Sequence, residues 1–214
     1  MRPAFHQAVA HCLDYPDLLF YERIPLLAEC APALRPFLGH AASVPLGALA
    51  EEYVRVFDFH NRHCLHLTWW LDGDTRRRGE SLLRLKGVYR AAGLELVGSE
   101  LPDYLPLVLE YVAATGDRAP LLEHRPALEL LRFALAEAGT AYSTVLEALC
   151  AALPGPSPRD RAAARALAAA GPRGEEVGLV PYGHPELLPL TPVGPAAQAP
   201  GRAPHAGDLL GGRP

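Results

Sequence analysis

The sequence predicts an all-α protein, a single helical bundle over residues 1–170 followed by a proline- and glycine-rich tail over residues 171–214. Three observations carry this reading. Leu, Ala, Glu and Arg, all good helix formers, dominate the first 170 residues. Apolar residues there recur at helical spacing, and no segment alternates in the β-branched pattern of a strand. Composition then changes near residue 171: residues 171–214 hold nine prolines and nine glycines, against thirteen and ten in residues 1–170. Proline removes a backbone donor and clashes with the preceding turn, so the tail is expected to be mostly disordered. One short apolar patch, Leu187, Leu188 and Leu190, could dock back or act as a sticky motif.

The elements follow in order. Helices are expected near 3–13 and 17–29. A helix over about 44–57 is predicted because Leu46, Leu49, Tyr53, Val54 and Phe57 fall on one face. Leu82, Leu85, Val88, Tyr89 and Ala92 do the same over about 75–92, and Gly93 follows as a plausible C′ residue. Asp103 reads as the N-cap of the next helix, with Pro106 tolerated in its first turn. That helix is apolar on nearly every side, and Glu110 is its one charge. Such a helix is buried all round or faces a partner. Further helices are expected near 117–138, 140–152 and 158–170. No fixed-period repeat suggests a solenoid.

Bulk properties exclude several function classes. A formal net charge of −4, with charges spread along the chain, lacks the basic footprint of a nucleic-acid binder. No apolar run approaches the length of a membrane span, and His6, Gln7 and His11 interrupt any signal-peptide core. A cytoplasmic protein without direct membrane insertion is expected. Cys12, Cys30, Cys64 and Cys150 lie far apart and form no CxxC pair, which suits buried or free thiols in a reducing compartment.

Residues 51–93 are the most unusual stretch. His60, His63, Cys64 and His66 are metal ligands by type, but their spacing completes no known coordination shell, so no metal is expected. Arg76, Arg77 and Arg78 follow Asp72 and Asp74. They read as a solvated helix face, or as a place where Arg78 pins a loop through a carboxylate fork. Trp69 and Trp70 are adjacent and cannot share one helix face, so one is a possible exposed protein-binding anchor. No phosphate-binding glycine loop, nucleophile elbow or recognisable acid/base motif appears. No catalytic residue and no cofactor are therefore expected.

The same stretches resemble the NarJ family, the nitrate reductase delta-subunit or molybdenum cofactor assembly chaperones, within the wider TorD-like group. The resemblance rests on blocks in the right order over about residues 5–150. These are Leu13-Asp14-Tyr15-Pro16, then Glu52, Tyr53, Phe57 and Asp58, then Leu65-His66-Leu67. Gly73-Asp74 with Arg76 and Arg78-Gly79 come next, and finally Glu100-Leu101-Pro102-Asp103-Tyr104-Leu105-Pro106. Thr75 and Ser81-Leu82-Leu83 depart mildly from the usual pattern.

The resemblance implies a TorD-like helical fold in a cytoplasmic assembly chaperone that is not itself an enzyme. It implies a dedicated client, the apo catalytic alpha subunit of a respiratory nitrate reductase or its alpha–beta complex. The client would be bound through its N-terminal segment until the molybdenum cofactor is inserted, before membrane docking. The candidate client-binding residues are Glu52, Tyr53, Phe57, Asp58, His66, Arg78, Asp103, Tyr104, Leu107 and Glu110. In this scheme Tyr53, Phe57, Tyr104 and Leu107 are apolar anchors for an amphipathic helix, and Glu52, Asp58, Asp103 and Glu110 are rim acids meeting its basic residues. Three other readings are a TorD-like chaperone for another molybdoenzyme of the dimethyl sulfoxide reductase type, a metal-dependent hydrolase built on the histidines, and a subunit retained in the mature enzyme.

Overall fold

The structure is a computed structural model that describes residues 3–59 and 61–170. His60 and the tail 171–214, with its Leu187, Leu188 and Leu190 patch, lie outside the described residues. Among the described residues there are eleven α-helices and no strand: α1 (Pro3–Leu13), α2 (Leu18–Cys30), α3 (Arg35–Ser43), α4 (Leu46–Tyr53), α5 (Leu67–Asp72), α6 (Arg76–Ala91), α7 (Leu105–Thr115), α8 (Ala119–Glu123), α9 (Arg125–Glu137), α10 (Tyr142–Ala151) and α11 (Arg161–Ala170). The all-α expectation holds.

Two helices form the middle of the bundle. α1 packs along α7, while α9 receives α5, α10 and α11; α10 also reaches α1 and α3. Each face is written in the sequence. α7 buries Leu105, Val108, Leu109, Tyr111 and Val112, and α9 buries Ala127, Leu128, Leu131, Ala134 and Leu135. A fully buried Leu or Val contributes roughly 1.5–3 kcal/mol relative to exposure, so these two helices carry much of the stability. As expected, α7 is buried on most sides. Leu107 and Glu110 mark the stripe that is not.

Local chemistry explains the helix ends. Asp17 caps α2 through a 2.7 Å hydrogen bond from Phe20 N–H. Gly93 has φ +75° and follows α6 in a left-handed turn, where Leu94 N–H reaches back to Tyr89 O at 2.9 Å.

Three differences from the expected elements have physical causes. The helix expected over 44–57 is α-helical only to Tyr53 and then widens into a π turn, Val54–Asp58. The wider turn buries Val56 beside Phe57 and sets the Phe57 ring tilted against Tyr53, at 4.8 Å between ring centroids. The single helix expected over 117–138 breaks at His124 into α8 and α9. Pro126 has no N–H to continue the ladder, and the buried His124 ring bonds Pro120 O at 2.8 Å. The third difference is two short helices that helical periodicity did not reveal. α3 follows the 3-10 turn Pro32–Leu34, and α5 is only six residues long.

Candidate functional site

Two blocks far apart in sequence meet in one antiparallel bridge. Leu67 N–H donates to Asp103 O at 3.0 Å, and Leu105 N–H donates to Leu65 O at 2.9 Å. His66 is thereby paired with Tyr104, and each residue leads directly into a helix, α5 and α7 respectively. The bridge also settles part of the backbone accounting at α7. Its first N–H is taken by Leu65 O, and Pro106 has none to satisfy.

Asp103 locks the bridge from behind. It is fully buried. Its carboxylate accepts Thr68 N–H at 3.1 Å, the Thr68 hydroxyl at 2.5 Å and His66 Nδ1 at 3.0 Å. A carboxylate only accepts, so His66 carries a proton on Nδ1. Asp103 is therefore neither the cap of its own helix nor a rim acid, which corrects both sequence expectations. It caps α5, from 35 residues away, while Tyr104 precedes α7 without a side-chain cap. Burial alone would push the Asp103 carboxyl up. The hydrogen bonds from His66 and Thr68, with the charge of His66, outweigh it and bring it below its ordinary 3.8.

A folded-state value depressed in this way has a definite consequence. The stabilisation is fully present above the unfolded-state value and is lost as pH falls through the lower folded-state value. Urea melts from pH 5 down to pH 2 should show the wild type losing stability more steeply than Asp103→Asn. Parallel curves would show that this carboxylate is not part of the acid response.

In front of the bridge lies a cavity of about 400 Å³. Its aromatic wall is Tyr15, Tyr53, Phe57 and Tyr104, and Asp14, Asp58 and Glu100 bring carboxylates to it. The Tyr53 and Tyr104 hydroxyls lie 3.0 Å apart. Tyr53 OH also reaches Leu13 O at 3.3 Å, and Tyr104 OH reaches Asp14 Oδ1 at 3.4 Å. Burial pushes both phenols well above their ordinary value, and the charges of Asp14 and Glu100 add to the effect. Both phenols therefore stay neutral at physiological pH. Asp14, Asp58 and Glu100 are exposed, and none joins the six ion pairs among the described residues. Neutral aromatic faces beside unpaired carboxylates suit an organic cation, through Coulomb attraction and the ring quadrupole together.

Of the ten expected client-binding residues, Tyr53, Phe57, Asp58, His66 and Tyr104 line this cavity. Asp103 stands behind it. The other four lie elsewhere. Leu107 and Glu110 line a separate apolar groove with Tyr89, Leu94 and Val97. Glu52 is held inside the fold by His40 Nε2 at 2.7 Å and the Thr140 hydroxyl at 3.4 Å, so it is not a rim acid. Arg78 places its guanidinium 5.7 Å from the Trp69 ring centroid. It pairs with no carboxylate among the described residues, so the expected fork is replaced by a cation–π contact. Trp69 and Trp70 are both half-buried, and Trp70 Nε1 donates to Cys64 O at 2.9 Å.

The histidines are engaged separately. His63 Nδ1 donates to Val56 O at 2.9 Å and His66 faces Asp103; His60 lies outside the described residues. Among the described residues no group of three His, Cys, Asp or Glu could hold a metal ion, and no helix is long and apolar enough to cross a membrane. Sequence reasoning did not select Asp14, Tyr15 and Glu100 as site residues. They stand in the same blocks that carried the resemblance, and that placement was the available signal.

Comparison with known proteins points to the same family. A family model described as nitrate reductase delta subunit matches residues 25–151. The chain is 33% identical over 158 residues to the candidate nitrate reductase molybdenum cofactor assembly chaperone NarJ of Bacillus subtilis (strain 168), covering 68% of this chain and 86% of that protein. It is 31% identical over 156 residues to the nitrate reductase molybdenum cofactor assembly chaperone NarJ of Escherichia coli (strain K12), covering 66% of each. Among solved structures, a candidate redox enzyme maturation protein from Archaeoglobus fulgidus shares the fold, with a TM-score of 0.56, 20% identity, and coverage of 71% of this chain and 93% of that one.

Proposed function

The chain belongs to the nitrate reductase delta subunit family, and from that premise we propose that it is an assembly chaperone, not a catalyst, whose client is the catalytic alpha subunit of a nitrate reductase. It binds the apo alpha subunit, alone or with its beta partner, in the cytoplasm. It holds that subunit open for molybdenum cofactor insertion and leaves before membrane docking. Recognition includes the client's N-terminal segment, with a basic side chain entering the cavity between Tyr15, Tyr53 and Tyr104.

One observation carries this reading. Asp14, Asp58 and Glu100 line an aromatic cavity, and none is in an ion pair among the described residues. Like charges gathered without partners are unfavourable in the free protein. A cation on a client segment relieves that repulsion, giving specificity and a fast encounter rather than great affinity. Moderate affinity suits a chaperone that must release its client.

The test is a calorimetric titration with a peptide copying about the first 25 residues of the alpha subunit, long enough for an amphipathic helix with several turns. A saturable one-to-one signal with Kd in the micromolar to nanomolar range, about −8 to −12 kcal/mol, is expected. It should weaken as salt rises. A flat titration at low salt would overturn recognition through the N-terminal segment.

A further inference from the structure

Two elements remote in sequence pack on α9: the 3-10 turn Asn61–His63 and the helix α11. A cleft of about 820 Å³ lies where they meet it. One side is Ala134 and Glu137 of α9 with Ala138 just after its end, which share one face at i, i+3 and i+4. Two of these three are alanines, so the face is low and the cleft roomy. Its volume falls within the roughly 300–1,000 Å³ of small-molecule sites.

The other lining residues are His63 and three arginines. Arg62 comes from the turn, and Arg161 and Arg165, four residues apart, come from one face of α11. Three guanidiniums thus face one carboxylate, in a chain of formal net charge −4. That carboxylate is already engaged: Arg161 Nη1 donates to Glu137 Oε2 at 2.6 Å. Arg161 Nε is buried and has no hydrogen-bond partner. Arg62 and Arg165 are exposed and belong to none of the six ion pairs among the described residues.

The cluster is also held in place. Arg132 Nη2 donates to Pro158 O at 3.2 Å, while Arg125 donates to Pro154 O and, at 3.0 Å, to Gly155 O. Two arginines of α9 therefore clamp the loop that delivers α11. Like charges are brought together here by fixed backbone, at an electrostatic cost to the empty cleft.

A single carboxylate ligand would occupy one guanidinium fork. A diphosphate presents phosphoryl oxygens at both ends and can take a fork at each, the geometry for which arginine is better suited than lysine. We propose that this cleft binds a diphosphate-bearing anion, either free pyrophosphate or the diphosphate of a nucleotide. It shares no lining residue with the carboxylate cavity, so an anion site and a cation site coexist on one bundle.

The experiment is calorimetry on the full chain with inorganic pyrophosphate, orthophosphate, ADP and GDP. Pyrophosphate is expected to bind at one site, about tenfold or more tighter than orthophosphate. The double variant Arg62→Ala, Arg165→Ala should weaken it by at least about tenfold, and the corresponding Arg→Lys pair should restore part of the loss. Both positions are exposed, and an unchanged thermal melt confirms the fold of each variant. Tighter binding of a nucleoside diphosphate than of pyrophosphate would identify a nucleotide as the source, and the reverse order the free anion. Either order upholds the site. No saturable signal with any of these probes, or unaltered affinity in the double alanine variant, would overturn it. The same variants should bind the client peptide as the wild type does, so failure here is separable from failure of the client reading.

Discussion

Asp103→Ala should cost about 3 kcal/mol of folding stability, since charge-assisted hydrogen bonds are worth roughly 1.5–3 kcal/mol and orphaned buried donors cost more. The substitution leaves Thr68 N–H, the Thr68 hydroxyl and His66 Nδ1 without their shared acceptor. Thr68 is fully buried, so water reaches its freed donors poorly. At this chain size the midpoint of thermal unfolding should fall by about 6–12 °C. Asp103→Asn keeps an acceptor of the same shape and should lose less. Urea denaturation followed by far-UV circular dichroism measures both. A loss below about 1 kcal/mol for the alanine variant would mean that Asp103 does not hold the bridge together.

The double charge reversal Asp58→Arg, Glu100→Arg should weaken client-peptide binding by about 100-fold, or about 2.7 kcal/mol. Both side chains are exposed and make no ion pair among the described residues. Stability should therefore stay within about 0.5 kcal/mol of wild type. Most of the loss should appear at low ionic strength and shrink in high salt, where exposed charges are screened. The titration that tests recognition also tests this, run at two salt concentrations. Peptide affinity untouched by both reversals would remove the cavity from the recognition mechanism. The apolar groove carrying Leu107 and Glu110 would then be the place to mutate next.

Much of the fold was legible because it obeys a single period. α6 lies where apolar spacing placed it, α1, α2, α7, α10 and α11 lie where helices were expected, and Gly93 follows α6 as its lack of a side chain suggests. What escaped was structure that does not repeat. α5 is too short to display a period, and the π turn after Tyr53 still places Phe57 on the expected face, so spacing could not distinguish it from α-helix. Asp103 was misplaced for a related reason. An aspartate just before an apolar run, with proline three positions on, has the local signature of an N-cap, and nothing nearby in sequence reveals that its acceptors serve Thr68. At the site, family blocks located Tyr53, Phe57, Asp58, His66 and Tyr104 together. They could not show that Glu52 turns inward to His40, because adjacent positions on a helix diverge by about 100°.

The bridge between residues 65–67 and 103–105 makes the proposed client cavity a property of the whole chain. Its closure orders the intervening chain at an entropic cost. The cavity wall thus takes shape only once the halves of the bundle that contribute it are docked. The Leu67 and Leu105 amides should accordingly exchange with solvent through near-global opening rather than local fraying. A partly folded chaperone would then be a silent one: it could not capture a client with an incomplete grip, because the grip and the native state arise in the same step.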